Sequence, residues 1–322
     1  MTGNLLQLLQ LRADLLRRVR ALFDDRGFLE VETPILSADV VVDRHLDPLS
    51  TTLFDDPRQP DRGRRMWLQT SPEFHMKRLL AAGAGEAIYQ ITRAFRGGEI
   101  GRLHNVEFTM LEWYRRGDGM DEGMTLLSEL ADSLLARGPA RRISYAEAFE
   151  RHVGVHPHTS DAAMLAQAAR CHQIAIPAGL DPGDRHGWLD LLMVERVEPH
   201  LGGERPAIVY DYPAGQAALA RVRRDDPPVA ERFELYVAGI ELANGYHELL
   251  DADELLCRNR AANAQRIADG KPPLPEHSRL IEAMQGGLPP CCGVALGFDR
   301  LVMIAAGAAS LAEVMPLPID RA

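Results

Sequence analysis

Apolar residues recur at helical spacing near the start of the chain: Leu5, Leu8, Leu9, Leu15, Leu16, Val19, Leu22 and Phe23 fall on one stripe. That period predicts an amphipathic helix over residues 4–25, ended at Gly27. Residues 28–32 alternate in part and read as a short strand, stopped by Pro34. A further strand is expected at 66–69. Ser71-Pro72-Glu73 then opens a helix running to about 82: Ser71 caps, Pro72 suits the first helical position and Glu73 the positive helix end.

Two runs rich in Ile, Tyr, Phe and Trp, residues 87–95 and 106–115, flank a glycine-containing loop and predict a long antiparallel hairpin. Residues 120–137 read as helix, 140–205 as mostly helical and 207–212 as strand. A second hairpin is expected from 233–237 and 240–243 around Ala238-Gly239. A polar helix over 251–269 is broken by Lys271-Pro272-Pro273. A buried strand at 291–296 leads into a helix at 298–306. Hairpins with helices between and around them define an α+β fold with a mostly antiparallel sheet flanked by helices.

Composition adds exclusions. The 322 residues include no apolar run approaching the roughly 20 that span a bilayer. The early leucines are interrupted by Arg12, Arg17, Arg18 and Arg20, unlike a signal peptide, so a cytoplasmic protein is expected. The four cysteines, Cys171, Cys257, Cys291 and Cys292, form no C-x-x-C pair and read as free thiols. A net charge of −10 opposes a surface that attracts nucleic acid overall. The basic stretch Pro57–Arg65 reads as a solvated loop or as a docking patch for an acidic partner.

Three separated segments carry the chemistry. G-F-L-E-V-E-T-P begins at Gly27, F-R-G-G-E-I-G-R-L-H-N-V-E-F-T-M-L-E-W-Y at Phe95, and G-V-A-L-G-F-D-R-L-V-M at Gly293. In the second, Arg96 ends one strand, and Phe108, Glu112 and Tyr114 share a face of the next. An arginine there suits phosphate or carboxylate. The second hairpin brings Glu234, Glu241 and Glu248, seven residues apart, with Asn244 between the last two. Such carboxylates call for cations, and magnesium on nucleotide phosphates would satisfy them. In the third, Gly297 permits close approach to the backbone and Arg300 projects from the first helical turn.

With these residues in view, the chain resembles the class II aminoacyl-tRNA synthetases, lysyl branch, over nearly its whole length. Motifs 1, 2 and 3 match the three segments. S-P-E-F-H-M-K-R-L-L, G-I-E-L-A-N-G-Y-H-E-L and L-A-E-V-M-P-L-P-I-D-R-A match as well. The resemblance implies one catalytic domain over 1–322, ATP as substrate and Mg2+ as cofactor. Arg96 would hold the α-phosphate, and Phe108 and Arg300 would sandwich adenine. Gly97, Gly98, His104, Asn105, Glu241, Leu242 and Gly297 would line the ATP site. Glu234 and Glu241 would carry magnesium. Ser71, Pro72 and Glu73 would meet the amino-acid end of the substrate and Asn244 its carboxylate. Glu112, Tyr114 and Glu248 would bind a distal ammonium. Motif 1 implies a homodimer.

Only 26 residues precede motif 1, so no anticodon-binding barrel is expected before it. The implied acceptor is therefore a protein lysine, on elongation factor P, rather than tRNA, with lysine or (R)-β-lysine as the activated group. The alternatives are a truncated lysyl-tRNA synthetase-like enzyme with another acceptor, or a nucleotide-binding regulatory pseudo-enzyme. Ala295 stands where lysyl-tRNA synthetases carry glycine, and its methyl favours an amine one carbon further along. Gly97-Gly98 replaces the family's asparagine-glutamate, which leaves backbone groups or Glu99 to meet ATP.

Overall fold

The structure, a computed structural model, describes residues 5–322; position 4 of the expected first helix lies outside them. The chain divides into two compact units, Met1–Gly117 with Leu250–Ala322, and Asp118–Leu249.

The first unit begins with α1 (Leu5–Asp25), whose buried stripe is Leu15, Val19, Leu22 and Phe23. Full burial of each such side chain contributes about 1.5–3 kcal/mol. Gly27 takes φ +72° just beyond the helix, the left-handed conformation that favours glycine at this position. Then follow β1 (Leu29–Glu30), β2 (Leu36–Ser37), β3 (Ser50–Leu53), β4 (Arg64–Leu68), α2 (Glu73–Ala81), β5 (Ala87–Phe95) and β6 (Glu107–Arg116).

The second unit contains α3 (Met120–Leu135), β7 (Arg141–Ser144), α4 (Tyr145–His152), α5 (Ala162–Cys171), α6 (Arg185–Leu192), β8 (Ala207–Pro213), β9 (Val222–Arg223), β10 (Val229–Val237) and β11 (Ile240–His247). The chain returns to the first unit with α7 (Ala252–Ala268), α8 (Arg279–Gln285), β12 (Cys291–Gly297) and α9 (Phe298–Ala306).

In the first unit β5 pairs antiparallel with β6, β6 antiparallel with β12, and β1 runs parallel to β5. One face is sealed by α1: Phe23 stacks on Tyr89 at 4.6 Å between centroids and leans on Trp113 at 5.4 Å. A small separate sheet of β2, β4 and β3 stands beside this frame. In the second unit β8, β10 and β11 are antiparallel, β7 is parallel to β8, and β9 adds to β10. Its core joins Tyr145 and Phe149 of α4 to Leu165, Trp188, Leu189 and Tyr212. The α+β expectation holds, and the antiparallel hairpins are where the apolar runs place them. The strands β2, β3 and β9 and the helix α8 escaped prediction because each is too short to show a period, and the four-residue strand β7 corrects the start of the segment read as mostly helical. No helix among the described residues is long and apolar enough to cross a membrane.

Candidate active site

Alternation along β6 turns Phe108, Met110, Glu112 and Tyr114 to one face and sends Trp113 to the other, against Phe23 of α1. Glu112 is 1% exposed. Its carboxylate accepts hydrogen bonds from the Ser71 hydroxyl at 2.6 Å and the Tyr114 hydroxyl at 2.7 Å. Ser71 in turn accepts the Glu73 N–H at 3.1 Å, so a single hydroxyl meets both the first residue of α2 and the acid, although the helix begins at Glu73 with Pro72, not Ser71, as its N-cap. Pro72 holds the helix entry at φ −74°. One turn into α2, Lys77 donates to Glu73 at 2.5 Å, both side chains buried. The Lys77 ammonium lies 6.0 Å from the Tyr114 ring centre.

Burial, reinforced by the charge of Glu73, pushes the Glu112 carboxyl up to about 7, against the pull of Ser71, Tyr114 and Lys77. A cation placed here would restore the carboxylate and pair with it. The same row of the sheet carries Gln90 on β5 and Ala295 on β12, each directly across from Glu112. Thr33 of motif 1 donates to Gln90 at 2.9 Å.

Further along, Arg96 follows β5 with its guanidinium 5.1 Å over the Phe108 ring. Its Nε is buried and has no hydrogen-bond partner among the described residues. A free guanidinium N–H beside an aromatic plate suits an anionic group attached to a flat ring. Arg300, in the first turn of α9, donates to the Leu103 carbonyl at 3.2 Å and lies 2.8 Å from the His104 Nε2. Burial, then the nearby Arg300 charge, holds His104 below the ordinary imidazole range despite Glu99. The ring is therefore neutral at physiological pH, and its Nε2 accepts from Arg300.

Asn105 is occupied by backbone: it donates to the Glu107 carbonyl at 2.6 Å and accepts from the Ile319 N–H at 3.1 Å. Leu311 also donates its N–H to the Arg102 carbonyl at 2.9 Å, so the terminal L-A-E-V-M-P stretch braces the motif 2 loop.

The glycine pair of motif 2 has a backbone reason. The Gly97 N–H donates to the Asp47 carbonyl at 2.6 Å, and a Cβ on Gly97 would stand 3.0 Å from that oxygen. Asp47 is itself held by Arg266 at 3.0 Å and Lys271 at 2.8 Å. Gly98 takes φ +77°, a conformation that disfavours the family's glutamate.

Four residues absent from the expected site set position it: Asp299, Arg12, Thr109 and Lys77. Asp299 accepts from Arg12 at 2.5 Å and from the Thr109 N–H at 2.6 Å, and Arg12 also donates to the Thr109 hydroxyl at 2.6 Å. The clamp joins α1, β6 and the start of α9, next to Gly297 and Arg300. An acid inside G-F-D-R was a visible signal; its partner on α1 was not. Lys77, four residues after Glu73, was visible as a helical pair.

The second unit holds Glu234, Glu241, Leu242, Asn244 and Glu248. Glu234, 5% exposed, accepts from Arg232 at 2.5 Å, Tyr212 at 2.6 Å and Tyr236 at 2.5 Å. Asn244 stands opposite Glu234 in the β10–β11 register, with its side-chain oxygen buried and without a partner among the described residues. Glu241 is half-buried, Leu242 is buried, and Glu248 is 1% exposed. No group of three or more His, Cys, Asp or Glu among the described residues is placed to hold a metal ion.

Residues 1–321 match the family of class II tRNA synthetases (D, K and N), and the chain belongs to that family. The curated relatives it resembles are more specific. The elongation factor P–(R)-β-lysine ligases of Salmonella paratyphi B and Salmonella schwarzengrund are each 47% identical to it over 311 residues, 97% of this chain and 94% of the relative. That of Salmonella arizonae has the same identity and coverage.

Proposed function

We propose that this chain uses ATP to activate (R)-β-lysine, or lysine, as an aminoacyl-adenylate and transfers it to a lysine side chain of elongation factor P. The observation that carries the reading is the buried acid Glu112, braced by Ser71 and Tyr114, whose carboxyl stays raised to about 7 despite Lys77 and so would gain from an incoming ammonium. The names of the relatives supply the acceptor and the β-amino substrate.

In the first step the substrate carboxylate attacks the α-phosphorus of ATP and pyrophosphate leaves. Arg96 offsets charge on the α-phosphate, and Phe108 and Arg300 hold the adenine between them, so the protein acts by positioning and electrostatics. In the second step the acceptor amine attacks the carbonyl of the mixed anhydride, AMP departs, and the amine gives up its proton. His104, Asn105, Leu242 and Gly297, with the backbone of Gly97 and Gly98, line the nucleotide. Ser71, Pro72, Glu73 and Asn244 meet the amine and carboxylate end; Glu112, Tyr114 and Glu248 take the distal ammonium.

Magnesium would neutralise the phosphates. Glu241 fits it, since this ion is commonly held by one or two carboxylates plus phosphate oxygens. Glu234 fits only by giving up hydrogen bonds from Arg232, Tyr212 or Tyr236. A homodimer is part of the proposal; exposed Leu5, Leu6, Leu9 and Leu29 supply apolar surface for it.

The deciding experiment is ATP–pyrophosphate exchange with lysine and with (R)-β-lysine, followed by transfer of label to elongation factor P or to tRNA. Exchange with either amino acid and label on the protein is the expected result. Absence of exchange with every amino acid would sink the enzyme reading, and label on tRNA alone would sink the acceptor.

A further inference from the structure

A cleft of about 650 Å3 opens in the second unit, among β7, α4 and the loop preceding β8. None of the residues assigned above to ATP or to the amino acid lines it. Its wall is basic: Arg141, Arg142, Arg151 and Arg205 surround the imidazoles of His152 and His200. Those two rings are stacked, with centroids 4.6 Å apart and planes 5° from parallel.

The charges are unevenly compensated. Arg142 is engaged by Asp121 at 3.0 Å and by the Thr125 hydroxyl at 2.7 Å, and Arg205 donates to the Pro139 carbonyl at 3.0 Å. Of the two acids on the wall, Glu147 is spent capping α4, where it accepts from the N–H and the hydroxyl of Ser144, each at 3.0 Å; Glu204 is exposed on the loop. The guanidinium groups of Arg141 and Arg151 make no hydrogen bond or ion pair among the described residues, while the Arg141 backbone N–H donates to the Pro206 carbonyl at 2.8 Å. Burial, the His200 ring and the charges of Arg151 and Arg196 hold His152 below the ordinary imidazole range. The wall thus holds two guanidinium forks without hydrogen-bond partners among the described residues and an imidazole, His152, whose protonation is opposed by its own surroundings. An anion with several negative oxygens answers both.

We infer that this cleft is a second anion-binding site, selective for a small, multiply charged phosphate compound. The volume lies within the roughly 300–1,000 Å3 of small-ligand sites. Guanidinium groups favour phosphate through paired, charge-assisted hydrogen bonds.

The test uses the full chain and inorganic pyrophosphate, with no nucleotide present and the readout confined to the cleft. Imidazole C–H resonances of His152 and His200, assigned with His152→Gln and His200→Gln, report the cleft. Saturable shifts of both below about 1 mM pyrophosphate are expected. The Arg141→Gln/Arg151→Gln variant should weaken that binding about tenfold or more, with an unchanged melting temperature because both side chains are exposed. Should the double variant melt early, Arg141→Gln alone replaces it. The inference is overturned if no shift develops by about 10 mM, if the arginine variants bind as the wild type does, or if chloride at equal ionic strength reproduces the shifts. Lysine-dependent ATP–pyrophosphate exchange, scored separately, leaves the adenylation reading independent of this outcome.

Discussion

Ala295 on β12 lies directly across the antiparallel ladder from Glu112 on β6. Opposed residues share a sheet face, with Cβ atoms about 4.5–5.5 Å apart. The Ala295 methyl therefore sits beside the acid proposed to receive the substrate ammonium. Replacing Ala295 with glycine removes a methyl of the size that discriminates substrates by about 1–3 kcal/mol. Ala295→Gly is expected to shift the kcat/KM ratio of (R)-β-lysine to α-lysine toward α-lysine by about tenfold or more. ATP–pyrophosphate exchange with the two isomers measures it; an unchanged ratio removes Ala295 from the specificity argument.

Glu112 predicts a pH dependence with a definite sign. Its carboxyl is raised from an ordinary 4.5 to about 7 in the free protein. An acid with a raised folded-state pKa stabilises most at low pH, and that contribution is lost as pH rises through 7. Ammonium binding runs the other way, because below pH 7 the incoming cation must displace a proton. The KM for the amino acid should therefore fall from pH 5.5 to 7.5 and then level, while the melting temperature of the free protein declines over the same window. Glu112→Gln should flatten both profiles and cost about 3 kcal/mol or more in kcat/KM at pH 8 by leaving the ammonium unpaired. A wild-type KM that is flat across this range would contradict the assignment.

The fold was legible where periods were long. The α1 stripe ending in Leu22 and Phe23, the β5–β6 hairpin and the β12–α9 turn lie within a residue or two of their expected bounds. The acid–hydroxyl set of Ser71, Glu112 and Tyr114 was legible as a motif, and its hydrogen bonds follow from strand alternation and from the Ser71 hydroxyl lying at the entry to α2. The Arg12–Asp299–Thr109 clamp joins positions nearly three hundred residues apart, and no local pattern announces such a contact. Gly97-Gly98 read as a lost side-chain contact; the structure adds that a Cβ on Gly97 would crowd the Asp47 carbonyl and that Gly98 sits at φ +77°, a conformation that disfavours a side chain. The burial of Glu234 among two tyrosines and an arginine depended on the β8–β10 register, which alternation alone does not fix.

The Asp299 clamp is assigned no ligand contact, yet it fixes the start of α9 against β6 and so positions Arg300. Asp299→Asn keeps the shape and weakens the ion pair to Arg12. Breaking a largely buried pair costs about 3–5 kcal/mol, so the melting temperature should drop by several degrees. Because Arg300 is proposed to contact adenine and not the amino acid, KM for ATP should rise while KM for the amino acid changes little. Equal rises in both would show a general loss of structure rather than a positioning role.

Glu234 and Glu241 are separated by one further pair of substitutions. The Glu234 carboxylate already accepts from Arg232, Tyr212 and Tyr236, and removing its charge would leave a mostly buried guanidinium without its counter-ion. Glu234→Gln should therefore lower the urea midpoint, by about 3–5 kcal/mol in unfolding free energy, with the magnesium requirement of ATP–pyrophosphate exchange nearly unchanged. Glu241→Gln should do the reverse: a half-buried strand residue tolerates the change, while the magnesium concentration for half-maximal exchange rises about tenfold or more as one hard oxygen ligand loses its charge. If Glu234→Gln instead raises the magnesium requirement and leaves the urea midpoint in place, the tyrosine and arginine contacts are ones the carboxylate exchanges for the ion, and both acids are ligands.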